Sequence, residues 1–439
     1  MIILNTDKIK IWAKDLEKYF ETQKNPIAKL IRGNIFVKAV DGVNFEIKEG
    51  EVFGIVGESG SGKTTVGENV LLLQEPTGGK IYYEIDENIR KEIEKAEREG
   101  NEEKIKELDK KYNLTEKENL RSMRKDMQII FQDPSASLNP SMTVYEMIAH
   151  PVKIHNMADS EEEEREIVHN IMEEVGLSPP SRFDNVYPSD LSGGQRQRVV
   201  IARAMVLNPS FVVADEPVAM LDMSIRAKIL NLLMDLKEEF GLTFLLITHD
   251  LATAKFICNR IAIMYLGKIV EVGKAEDIFK DPKHPYTETL MATIPRADPR
   301  KTSDKRKLAR GEIPDPINMP RGCRFHPRCL KATPDCGWSP IDLKNYINEN
   351  LLDIYSEVEI EELELEFEID EEENTLIIPN EPRIWDYVDK IYKEKETPMI
   401  DAIVNKERGK KEMRVQFKEV KEPKLREVDG VDVRCVLYD

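Results

Sequence analysis

The chain has 439 residues, a length that predicts two or three domains at roughly 150 residues each. Its composition, 41% hydrophobic and 33% charged, is that of a folded protein and excludes disorder along most of the chain. The 82 acidic and 64 basic residues give a formal net charge of -18, which argues against binding to the phosphate backbone of nucleic acid.

The N-terminal segment, residues 1–20, mixes charged with apolar side chains and does not contain the apolar core of a signal peptide. Apolar runs elsewhere, such as residues 244–247, are far shorter than the roughly 20 residues that a membrane-spanning helix needs. We therefore expect the chain to work at a membrane only by docking to a protein that spans it. Its five cysteines are few and odd in number, which predicts thiols or metal ligands before disulfides.

An α/β core is predicted from about residue 37 to residue 273, where short β-rich apolar runs alternate with helical patterns. The predicted strands are residues 52–56, 128–131, 211–214 and 243–248, followed by a hairpin of residues 261–266 and 269–272 that turns at Gly267-Lys268.

A phosphate-binding loop is predicted at residues 57–64, which fit the pattern G-x-x-x-x-G-K-[ST] directly after a predicted strand. The glycines let successive backbone N–H groups converge on phosphate oxygens, and the start of the next helix adds positive potential. Lys63 would reach the β- and γ-phosphates, and the hydroxyl of Thr64 would bind Mg²⁺.

A charged segment, residues 84–125, interrupts the core. Its apolar residues recur at helical spacing, with a break at Gly100-Asn101, and they are Ile89, Ile93, Ala96, Ile105, Leu108 and Tyr112. This pattern predicts a hairpin of two amphipathic helices. We favour a solvated surface insertion over an arm that binds a partner, because runs of charge usually form solvated faces.

Asp215 and Glu216 follow the predicted strand at residues 211–214, so they would lie at the edge of the sheet where α/β proteins bind ligands. One carboxylate would hold Mg²⁺ and the other would polarise the attacking water, because phosphoryl transfer needs charge neutralisation and in-line positioning. We assign Asp215 to the metal and Glu216 to the water.

Residues 355–373 contain eleven acidic residues and no basic one. Within this run, residues 362–370 alternate with period two, which predicts a half-buried strand with an acidic outer face in a small extra domain. Binding of a cation is the less favoured interpretation, because carboxylates at every second position line one face without converging.

Residues 191–195, Leu-Ser-Gly-Gly-Gln, resemble the signature motif of ABC ATPases, and the chain resembles that superfamily from about residue 8 to residue 273. Ser192 and the N–H groups of Gly193 and Gly194, at a helix start, can bind a γ-phosphate. In the family this motif faces the nucleotide held by the other protomer. The resemblance therefore implies that hydrolysis requires a dimer with two shared sites.

The resemblance assigns further residues. Gln132 looks like the glutamine that senses Mg²⁺ and water near the membrane subunits, and His249 looks like the histidine that contacts the γ-phosphate. Asp222 looks like the aspartate of the D-loop, although Ala219 stands where serine is usual, which would alter communication across the dimer.

An aromatic upstream of the phosphate loop should stack on adenine, and Phe20 fits best, with Tyr19 and Phe36 as alternatives. The expected catalytic set is Lys63, Gln132, Glu216 and His249, and the expected Mg²⁺ set is Thr64, Gln132 and Asp215. The expected nucleotide-binding set is Phe20, Gly57, Ser59, Gly60, Gly62, Lys63, Thr64, Thr65, Ser192, Gly193, Gly194, Gln195 and Asp222.

A narrower resemblance, to the ATP-binding subunits of oligopeptide/dipeptide importers, rests on residues 131–140, 284–287 and 322–329. It covers about three quarters of the chain and departs at residues 84–121 and about 342–424. It implies an α/β, ABC-type P-loop NTPase with a RecA-like core, a β-subdomain, a helical signature subdomain and a C-terminal α+β extension with a cysteine cluster. Related importers carry nickel or sugars, so the resemblance defines the transported solute less closely than the type of transporter.

The cluster is Cys323, Cys329 and Cys336, spaced C-x5-C-x6-C, with Cys435 near the end of the sequence. Four thiolates could bind an iron–sulfur cluster or Zn²⁺, the latter with His326, or the thiols could be unligated. The importer resemblance favours a [4Fe-4S] cluster that ties the tail to the ATPase. The remaining cysteine, Cys258, is expected to be a small buried apolar residue.

The sequence thus predicts an ABC ATPase domain at residues 1–275, containing the 84–125 insertion and a helical signature subdomain at 133–210. An importer-type extension at 276–340 and an acidic extra domain at 341–439 follow. The resemblance implies ATP-driven import of oligopeptides or dipeptides, with a second ATPase protomer, two permeases and an extracellular solute-binding protein as partners. The chain would lie on the cytoplasmic face of the membrane.

Three alternatives to peptide import stay open. The same machine could import nickel or another small solute. A soluble ABC ATPase could act on ribosomes or DNA, with the 84–125 segment as its arm, but the acidic charge disfavours this. A non-hydrolytic regulatory subunit is disfavoured because the catalytic residues are intact.

Overall fold

A computed structural model describes residues 8–22, 35–116, 123–293, 309, 311–361, 363, 365–395 and 397–439. The chain divides into two compact units, Met1–Lys280 and Asp281–Asp439. In the first unit the strands are β1 Lys8–Glu21, β2 Phe36–Lys48, β3 Val52–Val56, β4 Gly78–Asp86, β5 Met127–Ile130, β6 Phe211–Asp215, β7 Thr243–Thr248, β8 Arg260–Tyr265 and β9 Lys268–Lys274. Its helices are α1 Lys63–Val70, α2 Glu87–Arg98, α3 Glu102–Tyr112, α4 Met123–Asp126, α5 Pro134–Ser137, α6 Val144–Ile154, α7 Glu161–Glu174, α8 Gly193–Met205, α9 Met223–Phe240, α10 Leu251–Ile257 and α11 Ala275–Lys280.

A mainly parallel sheet carries the predicted site. Within the first unit its strands lie in the order β9-β8-β3-β7-β6-β5; β9 runs antiparallel to β8, and the other described pairs are parallel. Strands β3, β6 and β7 are buried along their whole length, which explains why they read as continuous apolar runs. Val56 pairs with Thr248 and Asp215 pairs with Ile247, so the carboxyl ends of these strands meet at one edge.

The strands predicted at residues 52–56 and 243–248 are confirmed without change. The strand predicted at 128–131 is shifted by one residue to Met127–Ile130, so Phe131 is not part of it, and the strand predicted at 211–214 continues to Asp215. The hairpin turn lies at Leu266-Gly267 instead of Gly267-Lys268. Both turn residues have positive φ, +42° and +81°, as a tight two-residue turn between twisted strands requires.

A second, antiparallel sheet has the order β2-β1-β4. The charged insertion packs on it through the predicted apolar residues: Ile93 and Leu108 are buried against Trp12 and Tyr82. The predicted helical hairpin is therefore confirmed as α2 and α3, and it lies on the protein's own sheet. Part of the predicted segment, residues 117–122, lies outside the described residues.

Helices α6, α7 and α8 share one apolar core with the parallel sheet, which includes Val152, Val168 and Val200. This core fixes the start of α8, where the signature motif lies. The longest helix described, α9, has 18 residues. In the described parts of the chain, no helix combines the length and the apolar character needed to cross a bilayer.

The second unit has its own core, formed by apolar residues that include Trp338, Ile378, Trp385 and Val415. Its sheet has the order β10-β11-β13-β12. Its strands are β10 Glu368–Asp370, β11 Thr375–Pro379, β12 Ile403–Arg408, β13 Glu412–Phe417, β14 Arg426–Val428 and β15 Val431–Val433. Its helices are α12 Pro285–Thr293, α13 Pro340–Glu349, α14 Glu357–Glu361 and α15 Pro382–Glu394.

The acidic strand predicted at residues 362–370 is wrong in its extent, because only Glu368–Asp370 form a strand. Glu362 and Glu364 lie outside the described residues. Leu365 and Phe367 nevertheless pack against the core of the unit. The alternating pattern thus indicates one buried face. A strand also needs a neighbouring strand for its backbone hydrogen bonds, and β11 pairs with only three residues of this run.

Candidate functional site

The loop at residues 57–64 connects β3 to α1 and cannot accept side chains at two of its glycines. A Cβ on Gly57 would lie 2.1 Å from the carbonyl oxygen of Met264, and one on Gly62 would lie 2.0 Å from that of Ala39. Gly62 also has φ +100°, which other residues rarely adopt. Both positions therefore require glycine, because the loop packs directly against the backbone at Met264 and Ala39.

Lys63 begins α1, and only 5% of its surface is exposed. Its Nζ donates to the carbonyl oxygen of Glu58 over 2.9 Å. Burial lowers the pKa of this ammonium, while the carboxylates of Glu216 and Asp215 act in the opposite direction. The side chain thus places a positive charge between the glycine loop and the two acidic residues.

Thr64 and Asp215 form the candidate metal site. The hydroxyl of Thr64 donates to Oδ1 of Asp215 over 3.2 Å, so the start of α1 and the end of β6 meet here. Burial raises the pKa of Asp215 to about 6, and the nearby Glu216 adds to this, while Thr64 and Lys63 oppose it. A hydroxyl and a carboxylate at this separation are oxygen ligands that fit Mg²⁺.

Glu216 lies between two other predicted catalytic residues. Nε2 of Gln132 donates to its Oε2 over 3.1 Å, and Nδ1 of His249 lies 2.9 Å from its Oε1. The three residues follow the neighbouring strands β5, β6 and β7. Glu216 has φ +45°, a strained conformation for a non-glycine residue, which turns the chain directly after Asp215.

The signature residues are located at the start of α8. Oγ of Ser192 accepts the N–H of Gln195 over 3.3 Å, and Oε1 of Gln195 accepts the N–H of Ser192 over 2.9 Å. This capping box fixes the first turn of α8, in which the N–H groups of Gly193 and Gly194 have no partner within the helix itself. A Cβ on Gly194 would lie 2.9 Å from the side chain of Ile225, so α8 approaches α9 closely at this point.

Asp222 begins α9 in a similar way. Its carboxylate accepts the hydroxyl of Ser224 over 2.7 Å and the N–H of Ile225 over 3.1 Å, and these bonds lower its pKa. Two methionines near it, Met220 and Met223, are exposed by 64% and 84%. Large exposed apolar side chains beside a predicted dimer contact are consistent with an interface there.

The loop before Asp222 is held by Arg226, whose guanidinium donates to the carbonyl oxygens of Leu221 over 2.8 Å and Ala219 over 3.4 Å. Ala219 therefore contributes its backbone to this loop where the family usually offers a serine hydroxyl as well.

The aromatic candidates for adenine differ in their surroundings. The hydroxyl of Tyr19 donates to Oδ1 of Asp41 over 2.6 Å, and burial raises its pKa. Phe20 is 37% exposed, with Nζ of Lys18 lying 5.2 Å from its ring centre, and Phe36 is 42% exposed. Phe20 and Phe36 thus present more exposed rings than Tyr19, whose hydroxyl is bound to Asp41.

Ser61 lies within the phosphate loop but was not predicted from the sequence as a site residue. This residue is 2% exposed, and its Oγ has no hydrogen-bond partner among the described residues. Its carbonyl oxygen accepts the N–H of Gly267 over 2.9 Å, which fixes the loop against the β8–β9 turn. The motif leaves this position unspecified, so only the fold reveals a buried hydroxyl within the phosphate loop.

The four predicted cysteine ligands are all buried and form no disulfide. Cys323 and Cys435 each interact electrostatically with Cys329 and Cys336, so their sulfur atoms share one neighbourhood. Burial raises the pKa of Cys329 to about 11 and that of Cys435 to about 12, and it also raises that of Cys323. The thiols of Cys323, Cys329 and Cys435 are therefore less acidic than an ordinary cysteine.

These cysteines do not form a metal-binding arrangement in the structure. Among the residues that the structure describes, no three or more His, Cys, Asp or Glu side chains are arranged to hold a metal ion. His326 was the expected extra zinc ligand, but its Nδ1 lies 2.8 Å from the carbonyl oxygen of Cys323 and its Nε2 lies 3.2 Å from Oδ1 of Asp342. Cys258 is partly buried and lies close to Gly54, as expected for a small apolar residue.

The sequence is similar to two known families. Residues 40–219 match the ABC transporter family, and residues 270–336 match the C-terminal region of oligopeptide/dipeptide transporters.

Individual relatives extend this similarity over most of the chain. YkfD of Bacillus subtilis is 46% identical over 305 residues, which are 69% of this chain and 84% of that protein. DppF of Haemophilus influenzae, a dipeptide transport ATP-binding protein, is 41% identical over 337 residues, 77% of this chain and 93% of that protein. AppF of Bacillus subtilis, an oligopeptide transport ATP-binding protein, is 41% identical over 324 residues, with coverages of 74% and 90%.

Proposed function

The chain belongs to the ABC family of oligopeptide/dipeptide transport ATP-binding proteins, and from this premise we propose that it hydrolyses ATP to drive the import of oligopeptides or dipeptides. The observation that carries the ATPase role is the meeting of Thr64 with Asp215 and of Gln132 and His249 with Glu216. These side chains converge at the carboxyl ends of parallel strands, beside a loop that accepts no side chain at Gly57 or Gly62.

The residues divide the chemistry as follows. The loop N–H groups and Lys63 hold the phosphates, and Thr64 and Asp215 hold Mg²⁺, with Gln132 as a further contact. The bound metal neutralises charge on the phosphate oxygens. Glu216 accepts a proton from the attacking water, while Gln132 and His249 hold the carboxylate of Glu216 in place. Thr65, Ser59 and Gly60 complete the phosphate loop, and Phe20 stacks on adenine.

Two copies of such a chain would share two nucleotides. In this arrangement Ser192, Gly193, Gly194 and Gln195 of one protomer face the γ-phosphate held by the other, and Asp222 lies near the contact. The exposure of Ser192 and Gly193 at the start of α8 and of Met220 and Met223 supports this part of the proposal. The second protomer is either identical or a related ATPase.

Two permeases in the membrane and an extracellular solute-binding protein would complete the transporter, with the ATPase on the cytoplasmic face. ATP-driven closure of the dimer would pull on the permeases through the region of Gln132. Within the chain we propose an ATPase domain at residues 1–275, an importer-type extension at 276–340 and an acidic domain at 341–439. The similarity to DppF, a dipeptide transport protein, and AppF, an oligopeptide transport protein, supports peptides as cargo over nickel.

The alternatives are disfavoured by specific observations. A ribosome- or DNA-directed ATPase would need a reaching arm, but the 84–125 insertion buries Ile93 and Leu108 against its own sheet. The net charge of -18 also opposes nucleic-acid binding. A purely regulatory subunit would not need Glu216 between Gln132 and His249.

A metal centre at Cys323, Cys329, Cys336 and Cys435 is a separate proposal, and no step of transport depends on it. The gathering of four buried sulfur atoms from distant positions supports it. To bind a metal, the thiols would have to lose their protons and draw closer together. Protein purified without oxygen should then contain iron and labile sulfide, or zinc, and the absence of all three would end this proposal.

The transport function is tested with the intact complex. Solubilised membranes of the source organism are captured through this chain, and mass spectrometry should find two permeases and an ATPase partner. After reconstitution with the solute-binding protein, oligopeptides should stimulate ATP hydrolysis and Ni²⁺ should not. Ribosomal proteins or DNA in place of permeases, or stimulation by Ni²⁺ alone, would contradict the proposal.

A further inference from the structure

Two arginines of α8 bind the short turn that follows Gln132. NH1 of Arg203 donates to the carbonyl oxygen of Ser137 over 2.6 Å. NH1 of Arg196 donates to the hydroxyl of Ser135 over 3.3 Å. Ser135 and Ser137 both belong to α5, so these bonds fasten one helix directly onto the other.

The two arginines lie on the same face of α8, because seven residues make almost two full helical turns. Nε of Arg196 also donates to the carbonyl oxygen of Pro188 over 2.8 Å, which fixes the direction of its side chain. Hydrogen bonds from a charged guanidinium are roughly twice as strong as neutral ones. The contact is therefore a rigid connection between α5 and α8.

The turn is also continuous with the catalytic cluster. The carboxylate of Asp133 accepts the N–H groups of Ser135 over 2.7 Å and Ala136 over 3.2 Å, so it caps α5. Gln132 directly precedes this cap and donates to Glu216. A displacement of Gln132 is thus passed to α5 with little freedom for the intervening backbone to absorb it.

Ser192, the serine of the signature motif that is predicted to bind the nucleotide of the second protomer, caps the N-terminus of α8 four residues before Arg196. We propose that Arg196 and Arg203 are positioning residues that couple the nucleotide site of this chain to the presentation of Ser192 to its partner. This inference rests on the proposed function, because it requires two sites shared between protomers.

The coupling has a distinct physical signature. Without the arginine bonds, α5 and α8 can move separately, and the dimer must order them when it closes, which costs conformational entropy. Binding of ATP to the open protomer is not affected, because the described hydrogen bonds of Thr64 and Asp215 do not involve these arginines. Loss of the connection should therefore weaken dimer closure and leave nucleotide affinity unchanged.

The experiment uses the full chain with Glu216→Gln, which should hold ATP and accumulate the closed dimer. Arg203→Met keeps the apolar stem and removes the donors. Arg203→Lys restores one donor, and Ser135→Ala removes an exposed acceptor with little risk to folding. Arg198→Met is the matched control, because Arg198 lies on the same helix and donates to the carbonyl oxygen of Val175 instead of the turn.

Light scattering gives the ATP concentration at half-maximal dimerisation, and calorimetry at low protein concentration gives the affinity of the monomer for ATP. For Arg203→Met we expect the ATP concentration at half-maximal dimerisation to rise roughly tenfold, because one charge-assisted hydrogen bond is lost. Ser135→Ala should raise it about threefold, Arg203→Lys should recover part of the loss, and Arg198→Met should change it by less than about twofold.

Monomer affinity should stay within about twofold throughout. An unchanged midpoint in Arg203→Met and Ser135→Ala, an equal rise in Arg198→Met, or a parallel loss of monomer affinity would overturn the inference. If the Glu216→Gln parent binds ATP but never dimerises, the shared-site part of the proposed function fails instead, and the inference fails with it. The parent alone therefore distinguishes the two failures.

Discussion

Nδ1 of His249 lies 2.9 Å from Oε1 of Glu216, while the other carboxylate oxygen accepts a hydrogen bond from Gln132. Both carboxylate oxygens of Glu216 are thus engaged by side chains from the two neighbouring strands. A carboxylate held from both sides keeps a fixed direction, which a general base needs in order to align a water molecule. This arrangement makes the individual contributions of the three residues measurable.

Glu216→Gln should lower the turnover of ATP by about a hundredfold or more, the scale of a lost general base. The amide keeps the size of the side chain, so ATP binding and dimer closure should persist. Steady-state phosphate release measures the turnover. Glu238→Gln, at an exposed carboxylate of α9, is the control and should match the wild type. Near-normal turnover in Glu216→Gln would remove the assignment of the base.

His249→Ala should lower turnover roughly tenfold to a hundredfold, because it removes a hydrogen-bond partner of a charged group. If His249 acts through Glu216, the double variant with Glu216→Gln should be no slower than Glu216→Gln alone, since residues that work as a unit give non-additive losses. Fully multiplicative losses would show that His249 acts independently of the base.

Asp215→Asn should stabilise the first unit at neutral pH while abolishing Mg²⁺-dependent hydrolysis. The folded state raises the pKa of Asp215 from its ordinary 3.8 to about 6, because burial penalises the charge. Between these pH values the folded state keeps a proton that the unfolded state has lost, so the wild type loses stability as pH rises through this window. Above pH 6 the raised pKa of Asp215 lowers the free energy of unfolding of the wild type by up to about 3 kcal/mol.

Thermal unfolding of both proteins from pH 5 to pH 8 measures this effect. The advantage of Asp215→Asn should grow with pH and level off above about pH 7. Asp222→Asn is the control. The exposed carboxylate of Asp222 has a lowered pKa, so its removal should not increase the free energy of unfolding. A constant difference across the pH range would mean that the charge of Asp215 is not the cause.

Local motifs made the phosphate site predictable from the sequence. The loop at residues 57–64 and the strand before Asp215 are continuous in the chain, and buried parallel strands read as unbroken apolar runs. The meeting of Gln132 with Glu216 is different, because the two residues are 84 positions apart and only the strand order brings them together. Here the family resemblance supplied what the spacing could not.

The long strands β1 and β4 were not identified individually, because runs of consecutive buried residues interrupt the alternation of a sheet. Strand β2 alternates regularly from Val43 to Lys48 but was also not identified. The prediction for residues 362–370 was wrong in the opposite direction. Their clear alternation predicted a long strand, but only three of these residues pair with β11. The cysteines show a third limit. Spacing indicates which thiols can meet, but whether they are charged depends on burial, which the sequence does not reveal.

Phe20→Ala should weaken ATP binding by about tenfold, since stacking of a base on an aromatic ring contributes roughly 1 to 3 kcal/mol. Phe36→Ala should change the affinity by less than about twofold if Phe20 alone stacks on adenine. Tyr19→Phe should also bind normally, because it keeps the ring and removes only the bond to Asp41. Calorimetric titration with ATP measures the affinity of each variant. A larger loss of affinity in Phe36→Ala than in Phe20→Ala would assign the stacking on adenine to Phe36.

The charged insertion should be part of the folded core of its sheet. Ile93 is fully buried beside Trp12 and Tyr82, so Ile93→Ala should destabilise the unit by about 2 to 5 kcal/mol, as other large-to-small changes in cores do. Lys91→Ala, at a side chain exposed by 68% on the same helix, is the control and should be nearly neutral.

Thermal unfolding and hydrogen exchange measure this effect together. Because α2 and α3 cover one face of the antiparallel sheet, Ile93→Ala should lower the melting temperature and also the protection of amides in β1 and β4. Loss of protection confined to the two helices, with the strands unaffected, would mean that the hairpin folds separately from the sheet. The insertion would then be a mobile arm, and the argument against a reaching role in another ABC ATPase class would lose its basis.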